Sequence, residues 1–264
     1  MSTTLTPPPT LPERPAEPPR PPSGGSRAVA IIVIVLGGIV LLGAMTSALV
    51  GTIASASVHT STRTVDAAGI EGLEVDAAAG TLRVEFTDVA EAELEVTSSW
   101  GAESWRFERD DDTLEVASPD RLGWFSWRGW FGDGGADAVL RLPAGLDGLD
   151  ADVTLAAGEF VTDGAFGELD LSLAAGSFDV TGSAESLSAD VSAGRGTLEL
   201  EDVREAELTV SAGSLDLTVP DVEYAITQDI SAGTLNAKID EASSARRTID
   251  VSLSAGTATI RPGR

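Results

Sequence analysis

Carboxylates are the side chains of this chain with the greatest capacity for chemistry, and their distribution argues against most of it. The sequence holds 42 Asp and Glu against 17 Lys and Arg, a net charge of −25. Hydrolysis of a sugar bond needs two carboxyl groups at a defined separation across that bond. Here the acids are spread along the chain and no pair stands apart, so the reading is non-enzymatic. A single histidine, His59, and no cysteine exclude a histidine pair, a thiolate metal site and a cysteine nucleophile. A nucleic-acid partner would need a basic patch to neutralise phosphates, and the charge excludes it. Cations and basic partners are the favoured company of such a surface.

Three acidic groups have the oxygen donors that Ca²⁺ prefers. Asp152 and Asp170 occupy equivalent places in a repeat and are expected side by side, where like charges repel unless a cation or hydroxyl intervenes. The others are the run Asp110-Asp111-Asp112 and the stretch Gly132-Asp133-Gly134-Gly135-Ala136-Asp137. The second is a lone copy of a glycine-aspartate pattern that binds calcium in arrays. No resident metal or other cofactor is expected. A further column of side chains follows each repeat glycine: Thr81, Glu159, Ser177, Ser214, Thr234 and Thr257, with Thr197 joining it if Arg195-Gly196 is a bulge. An ice-binding array would need a second threonine column two residues on, and that column is mixed. Cross-strand hydrogen bonding on a solvated face is its expected role.

The aromatic residues are concentrated. All five tryptophans lie between Trp100 and Trp130, and the run Leu122-Gly123-Trp124-Phe125-Ser126-Trp127-Arg128-Gly129-Trp130-Phe131 has too many bulky apolar groups for a plain solvated loop. This insertion, near 118–137, is the candidate binding surface, with Trp124, Phe125, Trp127, Arg128, Trp130 and Phe131 as its residues. Exposed rings can stack on sugars or seat in a partner. Interfacial membrane contact and a cap over an open end of the fold are the competing readings.

The elements that would position these groups come from one recurring pattern. Alternating apolar residues run into Ala/Ser-Ala-Gly and alternate again after it, centred on Gly80, Gly158, Gly176, Gly194, Gly213, Gly233 and Gly256. With the glycine as zero, positions −7, −5 and −3 hold Leu73, Val75 and Ala77, or Leu169, Leu171 and Leu173; positions +2 and +4 hold Phe178 and Val180, or Leu215 and Leu217. A period of two is that of a strand with one buried face. Glycine admits a positive φ and so marks a corner. Between Gly80 and Gly158 the repeat is degraded, although Leu94/Val96, Trp105/Phe107, Leu114/Val116 and Leu140/Leu142 still alternate. Spacings of 18 to 23 residues from Gly158 onward predict an all-β solenoid over 69–264, one unit per rung.

Ahead of it the composition changes three times. Residues 1–27 hold most of the prolines and are expected to be a disordered tail. Ala28–Val50 carries no charge over 23 residues, about 34 Å as a helix, enough for a hydrocarbon core of about 30 Å. Residues 51–68 read as a flexible stem containing His59. Arg14, Arg20 and Arg27 precede the apolar stretch and Arg63 follows it, so the positive-inside rule predicts a single-pass cell-membrane protein, N-terminus cytoplasmic and β domain extracellular. The alternative is a signal peptide cut after Ala54-Ser55-Ala56.

The Ala/Ser-Ala-Gly strand repeats, the Leu142-Pro143-Ala144-Gly145 strand end and the N-terminal apolar stretch resemble the bacterial putative-adhesin family of β-strand-repeat proteins, also called toast-rack-like. The resemblance covers about residues 70–264. It implies a right-handed, single-stranded β-helix-like fold at the cell envelope and a binding role for an unknown surface ligand or protein. A structural or regulatory part in envelope stress is the second role it implies. The aromatic insertion is not part of the family pattern. The oligomeric state is left open, since exposed ends of such a fold can stack.

Overall fold

The computed structural model describes residues 59–98, 102–119 and 136–263. They belong to the second of two compact units, Ile53–Arg264. Fourteen strands follow one another: β1 (His59–Val65), β2 (Gly72–Ala77), β3 (Gly80–Thr87), β4 (Ala92–Ser98), β5 (Arg106–Asp110), β6 (Thr113–Ala117), β7 (Ala136–Pro143), β8 (Leu149–Leu155), β9 (Gly158–Leu173), β10 (Gly176–Leu200), β11 (Glu205–Val219), β12 (Ala225–Ile230), β13 (Gly233–Ala237) and β14 (Thr248–Pro262). Only two 3-10 turns, Ala102–Ser104 and Ala144–Leu146, interrupt them among the described residues.

All fourteen form one sheet, in the order β1-β4-β7-β3-β9-β10-β11-β14-β12, with β13 beside β14, and with β8, β2, β6 and β5 branching from β9. The branching follows from strand length. The first part of β9 pairs with β3 and its later part with β8; the first part of β14 pairs with β12 and its later part with β13. Each long strand therefore runs through two limbs whose inner faces share one core. The bend between limbs in β9 lies across residues 164–167, whereas in β14 and in the later part of β10 it lies at Ala-Gly. In β10 the buried positions are Leu187, Ala189 and Val191 before it, and Leu198 and Leu200 after it. The parity changes across Ala193-Gly194, so both limbs turn apolar side chains inward. The strand period of two thus survives, with one phase shift per corner.

This corrects the expected fold. All-β holds, but the chain is not a right-handed β-helix-like solenoid of successive rungs preceded by a transmembrane helix. It is one mixed sheet, curled until it is nearly closed like a barrel. Two observations overturn the solenoid. Antiparallel pairs β1–β4, β4–β7 and β5–β6 occur in the N-terminal part beside the parallel ones. In addition, β14 lies between β11 and the β12/β13 pair, so spatial order departs from chain order. The single-pass membrane expectation is corrected with it: among the described residues no helix is long and apolar enough to cross a membrane. The tail 1–27, the apolar stretch 28–50 and the first part of the stem lie outside the described residues. His59, placed by sequence in that stem, opens β1, and Arg63 of the same strand donates to the Glu103 and Trp105 carbonyl oxygens at 2.6 and 3.0 Å.

The repeat glycines stack. Gly158 is opposite Gly176, Gly194 opposite Gly213, and Gly256 lies between Gly213 and Gly233. At Gly176 the backbone has φ +118°, and a Cβ there would sit 2.0 Å from the Gly158 carbonyl oxygen. The column is packed backbone to backbone, which explains why the motif tolerates no side chain. Inward positions form aliphatic and aromatic rows across the strands. One member departs: Thr162, opposite Val84 and Val180, is buried and its hydroxyl has no partner, a cost of about 1–3 kcal/mol.

Candidate functional site

The aromatic candidates Trp124, Phe125, Trp127, Arg128, Trp130 and Phe131 lie outside the described residues, as does Trp100. Their mount does not. β6 ends with Ala117 opposite Asp76, and Ser118 accepts a bond from the Ala78 amide at its Oγ (2.8 Å) while its own amide donates to the Asp76 carbonyl at 2.8 Å. β7 starts with Ala136 opposite Gly80. The insertion therefore leaves and rejoins the sheet on either side of the first Ala-Gly corner, on paired backbone. Trp105, the fifth tryptophan, is a core residue, 4% exposed.

The carboxylates expected to align do so. Glu115, Glu74, Asp152, Asp170, Ser188, Glu207 and Asp250 are consecutive partners across seven strands. Neighbouring strands are about 4.8 Å apart, so the outer face of this limb carries a near-continuous row of like charge, broken once by a serine. A shallow depression of about 210 Å³ opens beside Glu74, Asp152 and Asp170. Among the described residues, no group of three or more acidic or histidine side chains is arranged to hold a metal ion.

The other limb is mixed. Ser214 is opposite Thr257, which is opposite Thr234, as the hydroxyl column requires. Arg195, not Thr197, takes the equivalent place in its strand, opposite Ser214, and Thr197 is opposite Asp216. No bulge is present there: Gly196 occupies the inward position between Phe178 and Leu215, where a Cβ would lie 2.3 Å from the Phe178 ring and 2.4 Å from the Leu215 methyl. Further along this limb, a groove of about 970 Å³ runs past Asp163, Thr181, Glu199, Glu201, Thr218, Asp221 and Arg261. Arg261 Nε donates to Thr218 Oγ1 at 3.3 Å. Sequence periodicity places five of these outward, five residues after their glycines. The convergence of the Pro220-Asp221 turn with Pro262-Gly263, through the Gly263 amide on the Val219 carbonyl at 2.7 Å, is tertiary and has no local signal.

Two cation clusters fasten the sheet. Arg141 on β7 reaches Glu93 at 3.1 Å and Glu95 at 3.0 Å on β4, with Glu85 of β3 at 4.0 Å. The hydrogen bond to Glu95, then the three negative charges, hold its pKa above the ordinary value against partial burial. At the other end Arg247 pairs with Asp202 at 3.0 Å and also donates to the Val203 carbonyl. Tyr224, fully buried, donates to the same carbonyl at 3.3 Å.

Burial raises the Tyr224 pKa from its ordinary value of 10.0, and the nearby Arg247 charge only partly offsets this. A folded-state pKa above the unfolded one gives stability that is present below about pH 10 and lost as pH rises through the folded value. Melting temperature is accordingly expected to fall between about pH 9 and 11, and Tyr224→Phe to flatten that fall. Tyr224 is the only tyrosine, so tyrosinate absorbance follows this one group; titration at the ordinary value in the folded chain would contradict the assignment.

An all-β scaffold, rigid along its ladders and clothed in ordered carboxylates and hydroxyls, is the class of protein the fold and surface define. No family model matches the sequence, and no curated protein matches it. Among solved structures, it is similar to a putative cell adhesion protein from Clostridium sporogenes ATCC 15579, at 17% identity over 78% of this chain and 100% of that one, TM-score 0.46. It is also similar to a putative adhesin from Bacteroides fragilis NCTC 9343 (13% identity, 78% and 97% covered, TM-score 0.40). A third is a putative lipid binding protein from Parabacteroides distasonis ATCC 8503 (12% identity, 78% and 97% covered, TM-score 0.29).

Proposed function

We propose that the chain is a non-enzymatic, adhesin-like binding module and that the aromatic insertion is its recognition element. The observation that supports this is the mount. Both flanks of the insertion are pinned to the corner at Gly80 by strand pairing and by the Ser118 hydrogen bonds. A ligand-reading segment gains affinity when its ends are fixed, because less freedom is lost on binding. The three tryptophans Trp124, Trp127 and Trp130 recur every third residue and supply stacking area, with Arg128 among them for a polar or anionic group.

The test replaces Trp124, Trp127 and Trp130 together with serine and compares the full chains on a glycan array. The wild type is expected to retain a defined set of glycans and the variant to lose at least about tenfold in signal, roughly 1.4 kcal/mol, with melting temperature unchanged within a few degrees. A collapse in melting temperature would instead make the insertion part of the fold, and equal retention by both chains would remove it from recognition.

A further inference from the structure

We propose that the β12/β13 end of the sheet is a self-association face, at which two copies of this chain meet about a two-fold axis. On the adjoining strands the inward residues are buried: Leu208 on β11 and Val251 on β14 are at most 3% exposed. At β12 and β13 the equivalent residues are uncovered. Ile226 and Leu235 are half-buried, Gln228 is exposed and Ile230 is 38% exposed. Ile230 and nearby Val222 are the large hydrophobic residues exposed among the described ones. The backbone is open as well. The amides of Ala225 and Ser231 donate to Arg247 and Leu253. By strand alternation, the amides of Ile226, Gln228 and Ile230 point away from the sheet, an unpaired edge of the kind that templates further pairing.

The shape of the opening selects the occupant. It is a cross-section of the core, bounded by β12 on one limb and β13 on the other, so an added peptide strand would cover one limb and leave the second bare. A second copy of the same end matches both. A two-fold axis across the core lays β12 antiparallel to its mate and β13 on its mate, and closes the assembly as an isologous contact rather than a filament. Charge points the same way. The chain carries −25 and repels itself over most of its surface, whereas Ala225–Ala237 contains one charged residue, Asp229, with Lys238 next in the chain. The charge-poor end is where two such molecules can approach.

Sedimentation velocity of the full chain across a concentration series tests this. The mass is expected to rise from one chain to two at concentrations on the order of micromolar. Added salt should strengthen the association, because it screens the repulsion between two acidic bodies. Ile230→Lys puts a charge in the contact, and Gln228→Pro removes an outward amide without touching the β12–β14 ladder. Each is expected to weaken association at least tenfold with the circular dichroism spectrum retained. A single-chain mass at every concentration overturns the proposal, whether the end is bare or covered by another part of the same chain. So does a dimer that both folded variants leave intact.

Discussion

Gly176→Ala is expected to lower stability by at least about 3 kcal/mol, which for a domain of this size is a fall in melting temperature on the order of 10 °C. Two costs combine. The φ of +118° is one that a residue with a Cβ rarely adopts. The added carbon would also overlap the Gly158 carbonyl oxygen at 2.0 Å, with the Gly158 nitrogen at 2.8 Å. Those atoms belong to the adjacent strand, in a ladder running from Gly158 to Leu173, and cannot retreat without breaking its hydrogen bonds. Gly145→Ala is the control, since nothing lies within 4 Å of a Cβ there; its effect is expected within about 0.5 kcal/mol. Thermal melts of the two variants side by side decide the matter, and equal melting temperatures would show that the glycine column is not structural.

Gly196 gives the second large effect, by a different route. Its hypothetical Cβ meets side chains, the Phe178 ring and a Leu215 methyl, and side chains can be trimmed. Gly196→Val alone is expected to overpack the core by about 1–3 kcal/mol. Phe178→Ala alone, at 1% exposure, opens a cavity worth about 3–5 kcal/mol. Combined, the valine fills space the ring vacates, so the double variant should be at least about 1 kcal/mol more stable than the sum of the single effects requires. A double-mutant cycle by urea denaturation measures that coupling. Strict additivity would mean that the two positions do not share a packing volume.

These cases show what the residues could and could not announce. The inward rows were legible, because Leu169, Leu171 and Leu173, and Phe178 and Val180, alternate as a half-buried strand must. The glycine column was legible as corners, since Ala-Gly interrupts that alternation at each repeat. Arg195-Gly196 was left open as a bulge because alternation alone cannot distinguish an extra residue from an inward glycine; only the bulk of Phe178, earlier in the same strand β10, and of Leu215 on β11 does so. The fold class failed for a related reason. β12 and β14 have nearly interchangeable patterns, and nothing local to Thr248–Pro262 says that this segment pairs with β11 in place of the one before it. Arg247 and Tyr224, which converge on the Val203 carbonyl, help to fix that arrangement and are separated from Val203 by 44 and 21 positions. The groove depends on the same long-range meeting, whereas the aligned carboxylates Asp152 and Asp170 followed directly from the repeat.

The insertion of β14 between β11 and the β12/β13 pair also imposes an order on events at the ribosome. β12 and β13 are synthesised first, while the free edge of β11 is already available and offers Ala206, Leu208 and Val210 to any strand with alternating apolar residues. Their final neighbour does not yet exist. When Thr248–Pro262 emerges, it must reach β11 ahead of them or displace them, and only then do they have an edge on which to settle. The nascent chain therefore passes through a stage in which a near-duplicate of the correct partner competes for its place, and β14 is the strand that resolves the competition.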